Sequence, residues 1–147
     1  LLAWQHNIYL SNRRALIWFT GTQGKVRRGK VILLKSRPDF EGVLCTLGGR
    51  HVALDAKVTA SVLYRHDHKR LHQLRDLWEV HEAGGVAFLL ISHQLERFYS
   101  VWPQPSWAYR EPFSIRLDQL DGRGVEVVRA GSNRLPDWLS TIEEVYR

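Results

Sequence analysis

The sequence predicts an α/β fold with a mixed central β-sheet flanked by helices, and three observations support this fold class. Two strands that flank Gly48-Gly49 form a predicted hairpin over 42–58. The uniformly apolar run 86–91 is typical of a central strand that is covered on both faces. Segments 68–83 and 136–146 have the apolar spacing of helices that pack against such a sheet.

The N-terminal half is predicted to contain one helix and four strands. In the last of these strands Val52, Leu54 and Ala56 alternate onto the core-facing side. Asp55 and Lys57, two residues apart, therefore share the opposite face. In chain order the elements are a helix that ends near residue 10 and strands over 15–20, 31–35, 42–46 and 50–58.

The C-terminal half begins with a polar connection over 59–67 and a helix that Gly84-Gly85 ends. That helix has an apolar stripe, and the closing helix has one apolar side. The stripe contains Leu71, Leu74 and Trp78; the side contains Trp138, Leu139, Ile142, Val145 and Tyr146. Between the helices we predict strands at 86–91, 97–102 and 125–128, with a loop rich in Trp and Pro at 103–112.

The composition limits the class of protein. A chain of 147 residues with 44% hydrophobic side chains predicts one domain over 1–147. Its longest apolar run is too short to span a bilayer, and polar residues interrupt the first apolar residues before a secretory signal could form. Cys45 is the single cysteine, which excludes an intramolecular disulfide and a Cys-rich zinc site. We therefore expect a cytoplasmic protein with no membrane partner.

The charge points to a polyanionic partner. The formal net charge is +6 and the isoelectric point is about 9.8, values that favour nucleic acid as the partner. The alternative is a basic protein without such a partner.

Asp39, Asp55 and Lys57 form the candidate catalytic set. The hairpin folds Asp39, which follows Pro38, back towards Asp55. Mg²⁺ prefers hard oxygen ligands, so the two carboxylates and the carbonyl of Ala56 are candidate metal ligands. Lys57 could orient an attacking water or stabilise charge on phosphoryl oxygens. Each short motif is common by itself, and the prediction depends on their combination at hairpin spacing.

Gln73 is a fourth candidate, on the flank of the apolar stripe of its helix. A polar side chain there could emerge beside the sheet and bind the water or a metal-bound phosphate. The alternative is an ordinary glutamine at the edge of the core.

Segment 21–30 combines glycines with four cations, which suits a flexible arm that enters a phosphate-lined opening. The alternative is a solvated basic hairpin. Further basic residues would extend the same phosphate track, and one serine could donate to a phosphate oxygen. The candidate DNA-binding residues are Arg13, Arg14, Lys25, Arg27, Arg28, Lys30, Lys35, Ser36 and Arg37.

The motifs 38–43 and 49–59, together with Gln73 eleven residues before Gly84, resemble the RecU-type Holliday junction resolvases of the PD-(D/E)xK nuclease superfamily. The resemblance covers roughly residues 5–102. It implies a restriction-endonuclease-like core and a homodimer that makes paired nicks in four-way DNA junctions with Mg²⁺ or Mn²⁺. By this resemblance Asp39, Asp55 and Lys57 match the catalytic acid, acid and lysine, and Gln73 matches the helix glutamine of the motif.

The chain departs from that pattern in two ways. The family usually carries a Glu in its first helix, whereas no Asp or Glu precedes Asp39 here. Either an N-terminal segment of the native protein is missing from this chain, or the site works with fewer acids. The basic segment between the first two strands is also shorter than the family's stalk.

Other functions stay open at this point. The chain could be another PD-(D/E)xK nuclease of repair or restriction type, or a DNA-binding module without catalysis. A zinc site is disfavoured because no Glu or Cys completes a known spacing with the histidines. Large aromatics could stack on unpaired bases, or pack in the core or a dimer interface. The histidines are His66, His68 and His72, and the aromatics are Trp102, Trp107 and Tyr109.

Overall fold

The computed structural model of the protein describes residues 2–20, 24–33, 38–130 and 135–147. Its elements, in chain order, are α1 (Leu2–Ser11), β1 (Ala15–Phe19), β2 (Gly24–Arg27), β3 (Lys30–Leu33), β4 (Phe40–Leu44), β5 (Arg50–Thr59), β6 (Leu63–Arg65), α2 (Leu71–Glu82), β7 (Val86–His93), β8 (Arg97–Val101), β9 (Ser114–Arg116), β10 (Gly124–Glu126), β11 (Arg129–Ala130), β12 (Leu135–Pro136) and α3 (Trp138–Tyr146). Short 3-10 helices cover Cys45–Leu47, His68–Arg70 and Pro105–Tyr109.

A six-stranded sheet of order β1-β4-β5-β7-β8-β10 forms the centre of the fold. The central pair β5–β7 is parallel, and α2 connects its two strands. The other neighbours in this sheet are antiparallel. This confirms the predicted α/β class with a mixed sheet. Within the described ranges, three two-stranded pairs, β2–β3, β6–β9 and β11–β12, stand outside it.

Helices cover both faces of the sheet, which corrects one expectation. Val52 and Leu54 belong to a buried cluster with side chains of α3, as predicted for the core-facing side of β5. Ala53 is equally buried, in a second cluster with Leu74 and Leu77 of α2. Side chains of β5 do alternate between the two faces, but the expectation of a single core-facing side is wrong, because this strand lies between two layers and has no solvent-facing side over 52–55.

Several boundaries also differ from those predicted. Strand β4 begins at Phe40 instead of residue 42, and the 3-10 turn at 45–47 replaces its predicted end. Strand β6 lies within the predicted polar connection 59–67 and pairs with β9. Helix α3 begins at Trp138, after the cap residue Asp137, whose side chain accepts from the backbone N–H of Ser140. Val145 is 47% exposed instead of packing with the apolar side of α3.

The described part of the predicted basic arm is the antiparallel hairpin β2–β3, whose turn is Arg28-Gly29. Among the helices of the described ranges, none has the length and apolar character that crossing a membrane requires.

Candidate active site

Asp39 and Asp55 lie next to each other because of the β4–β5 hairpin. Its register pairs Phe40 with Leu54, so Asp39, which precedes β4, lies beside Asp55, which follows Leu54 in β5. The backbone N–H of Asp39 donates to Oδ1 of Asp55 over 3.0 Å. The backbone N–H of Ala56 donates to Oδ2 of Asp39 over 2.9 Å. Each carboxylate therefore accepts a hydrogen bond from the segment that carries the other.

Asp55 is fully buried, and its environment disfavours a negative charge. Its Oδ2 atom has no hydrogen-bond partner among the described residues. Burial, followed by the negative charge of Asp39, raises the pKa of Asp55 to about 7, against the opposing charge of Lys57. Two carboxylates this close repel each other, so the arrangement favours a cation or a proton between them.

Lys57 and Gln73 meet across the interface between β5 and α2. Nζ of Lys57 donates to Oε1 of Gln73 over 2.8 Å. Gln73 is the third residue of α2 and is buried, although its side chain is polar. Leu74 and Leu77 of the same helix pack in the apolar cluster beneath it. This packing places Gln73 next to Lys57. The structure thus brings all four predicted residues into one connected set.

The donor set at this site fits a hard divalent cation. In the described ranges there is no group of three His, Cys, Asp or Glu side chains that could hold a metal ion. Two carboxylates suffice for Mg²⁺, which keeps several waters in its coordination shell. The carbonyl of Ala56 points to the same edge of β5 as its N–H, towards Asp39, and is a third candidate ligand. The unpartnered Oδ2 of buried Asp55 is the observation that supports this fit.

Hjc, a Holliday junction resolvase of the archaeal hyperthermophile Archaeoglobus fulgidus, aligns over 100% of both chains with 10% identity and a TM-score of 0.39. No curated protein matches the chain. A sequence model of the family RecU, recombination protein U, matches residues 7–143. The chain belongs to this family.

RecU membership confirms the resemblance inferred from the motifs. It also confirms the predicted function, a Holliday junction resolvase. A RecU-type resolvase is a nuclease that acts on branched DNA. This result favours the resolvase over a restriction-type enzyme and over a DNA-binding module without catalysis.

The predicted DNA-binding residues of this RecU chain occupy different settings. Arg13 is exposed in the turn after α1, and Arg28 is exposed in the β2–β3 turn. Lys25, Arg27 and Lys30 lie on the strands of that hairpin. The remaining predicted positions of this track, Lys35, Ser36 and Arg37, lie outside the described residues.

Arg14 has a structural role instead of a free position on the surface. Its guanidinium donates to Oγ of Ser140 over 3.0 Å and forms ion pairs with Glu143 and Asp137 at α3. These partners are more than 120 residues away in the chain, so no local pattern around Arg14 could indicate them. Arg14 ties the end of α1 to α3, and we do not retain it as a phosphate ligand.

Two residues near the site were missed by the sequence analysis, Tyr64 and His66. Tyr64 was assigned no role, and His66 was considered only as a zinc ligand. Both are buried, and the Tyr64 hydroxyl lies 2.8 Å from Nδ1 of His66. A three-residue strand such as β6 carries too short a pattern for sequence periodicity to detect it.

The aromatic residues predicted to stack on bases or to pack in the core lie in different environments. Trp107 is fully buried and packs edge-to-face against Phe113, which fits core packing. Trp102 is partly buried and contacts Phe88 and Tyr146. Tyr109 is 78% exposed and stays a candidate for stacking on DNA bases.

Proposed function

We propose that this chain is a divalent-metal-dependent, structure-selective endodeoxyribonuclease that nicks four-way DNA junctions as a homodimer. The observation that carries the proposal is the reciprocal hydrogen bonding of Asp39 and Asp55 beside the Lys57–Gln73 contact. Family membership and the net charge of +6 support DNA as the substrate. Location in the cytoplasm stays a prediction that goes with this activity.

Asp39, Asp55 and the carbonyl of Ala56 would hold the metal, with Mg²⁺ as the expected ion and Mn²⁺ as its substitute. When bound, such an ion supplies Lewis acidity towards a phosphoryl oxygen and lowers the pKa of water. A neighbouring cation would also favour the ionised form of buried Asp55, which the metal-free site disfavours.

Lys57 is proposed to act on the phosphate or on the attacking water. Its ammonium would stabilise the charge that develops on the phosphoryl oxygens, or orient the water for in-line attack. Gln73 accepts one of the three N–H donors of this ammonium, which restricts the rotation of a flexible side chain. Two donors remain for the phosphate and the water.

The DNA would approach along basic residues, for which the exposed Arg13 and Arg28 and the other cations of the β2–β3 hairpin are the proposed contacts. Such contacts position the phosphate backbone without reading base sequence, as recognition of a branched structure requires. A junction is resolved by two nicks in strands of like polarity, so two copies of this site are needed. We propose a homodimer for this reason.

The test is cleavage of a labelled four-way junction, with a linear duplex of the same sequence as the reference substrate. With Mg²⁺, the wild type should convert the junction into nicked duplexes, and EDTA should prevent this. Asp55→Asn should abolish cleavage and still bind the junction. Asp121→Asn, which removes the same charge from an exposed turn, is the matched control and should cut normally.

Two outcomes would contradict different parts of the proposal. Equal nicking of junction and duplex would show that the protein is a nuclease without selectivity for junctions. Undiminished cutting by Asp55→Asn would show that another residue supplies the acid.

A further inference from the structure

Tyr64 and His66 form a buried, hydrogen-bonded pair that the proposed chemistry does not use. Besides the contact between the Tyr64 hydroxyl and Nδ1 of His66, Nε2 of the same ring lies 2.9 Å from the carbonyl oxygen of Arg70. A carbonyl only accepts, so Nε2 carries the proton and Nδ1 accepts from the hydroxyl. A single neutral tautomer therefore satisfies both ring nitrogens.

The bond to Arg70 places the imidazole at the start of α2. Arg70 immediately precedes the helix, and its own side chain provides no cap. Gln73, whose Oε1 accepts from Lys57, follows three residues later. The position of the first turn of α2 therefore decides where the glutamine meets the lysine, and His66 holds that turn.

The electrostatic surroundings place the same pair close to the active site. Burial, with the positive charge of Lys57 as a further contribution, lowers the pKa of His66. Burial, followed by the negative charge of Asp55, raises the pKa of Tyr64. Both side chains are therefore neutral at pH 7, within range of the charges of the site. A neutral pair adds no charge to the active site, so any effect that it has on catalysis comes from the way it positions other groups.

We propose that Tyr64 and His66 are positioning residues, which hold the first turn of α2 so that Gln73 keeps the ammonium of Lys57 directed at the scissile phosphate. The inference rests on the proposed function, because it assumes that Lys57 acts in DNA hydrolysis. A purely structural pair would stabilise α2 and leave the turnover of folded molecules unchanged.

Three substitutions separate these roles. His66→Leu removes the donor to Arg70, whereas His66→Gln keeps an N–H donor at about the position of Nε2. Tyr64→Phe removes only the hydroxyl. We expect His66→Leu to lower kcat on DNA by about tenfold or more with KM unchanged, since small misplacements of catalytic groups have effects of this size. His66→Gln should restore most of kcat.

A double-mutant cycle then tests whether His66 acts through Gln73. In a Gln73→Ala background, His66→Leu should cause little further loss of kcat, because the group that it positions is already absent. The measurements use protein shown by circular dichroism to be folded at the assay temperature. If His66→Leu does not fold, Tyr64→Phe takes its place in the cycle.

Unchanged kcat in the folded variants, or a loss that adds fully to that of Gln73→Ala, would overturn the proposal. If the wild type cuts no DNA, the proposed function fails, and NMR of the Gln73 side-chain amide still tests the pair. That resonance should move in His66→Leu and stay close to the wild-type position in His66→Gln. An unchanged resonance in His66→Leu would overturn the positioning role independently of activity.

Discussion

Asp39 and Asp55 are joined by a hydrogen bond of 3.0 Å, which the backbone N–H of Asp39 donates to the side chain of Asp55. The reverse bond, from the backbone N–H of Ala56 to Asp39, fixes the second carboxylate against the same strand. Both acids are therefore held by backbone donors at the end of the β4–β5 hairpin, an arrangement that limits the reorganisation needed when a cation binds.

The metal-free protein should lose stability as pH rises through the window set by Asp55. Folding raises the pKa of this residue from 3.8 to about 7. Between these values the folded state binds more protons than the unfolded state, so the free energy of unfolding decreases with rising pH, by at most about 4 kcal/mol. Urea unfolding in EDTA at pH 5 and pH 8 measures the larger part of this loss, about 3 kcal/mol, because the rest occurs below pH 5.

Asp55→Asn isolates that contribution from those of the other titrating groups. The variant should lose less stability than the wild type between pH 5 and pH 8, and should be the more stable protein at pH 8 in EDTA. Added Mg²⁺ should stabilise the wild type at pH 8 and leave Asp55→Asn nearly unchanged. Parallel pH profiles for the two proteins would refute the assignment of the raised pKa.

Removing the partner of Lys57 should impair catalysis and spare binding. Gln73→Ala leaves the ammonium without its acceptor, so we expect kcat on junction DNA to fall by about tenfold or more. The dissociation constant for the junction should change little, because Gln73 is buried. Gln119→Ala, an exposed glutamine, is the control. Equal turnover of the two variants would exclude a role for the contact.

The neighbours Arg13 and Arg14 should respond oppositely to substitution. Arg13→Gln should weaken junction binding and lower the slope of log K against log salt by about one, with stability unchanged. Arg14→Gln should cost about 1–3 kcal/mol in the free energy of unfolding, since it leaves the largely buried carboxylate of Glu143 with one partner fewer. Fluorescence titrations at several salt concentrations and urea unfolding distinguish the two effects.

Gly42 should tolerate no side chain, because β1 lies directly against it. A Cβ atom there would lie 2.1 Å from the backbone oxygen of Leu16, so Gly42→Ala should cost about 3 kcal/mol. Gly48→Ala is the control, since nothing lies within 4 Å of its Cβ and its φ of +70° costs only about 1–2 kcal/mol. Similar unfolding midpoints for both variants would contradict the packing of β1 on β4.

Sequence reasoning succeeded where the relevant contacts are local. The hairpin around Gly48-Gly49 and the parity of Asp55 and Lys57 follow from a short stretch of chain, and helix periodicity placed Gln73. It failed where distant segments decide the structure. The ion pair of Arg14 with Glu143 and the pairing of β6 with β9 join residues far apart in the chain, and neither leaves a periodic pattern. The connection from Tyr64 through His66 to Arg70 is local, and it was missed because the three-residue strand β6 is too short to show a periodic pattern.

The most direct test of the central claim is a crystal structure of the protein soaked with Mn²⁺, analysed by anomalous scattering. We expect one peak bound to both Asp39 and Asp55, with each metal–oxygen distance between about 2.0 and 2.6 Å. The crystal is soaked at a Mn²⁺ concentration that supports cleavage of the junction. A peak at some other group of residues, or no peak at this pair, would contradict a metal site shared by Asp39 and Asp55.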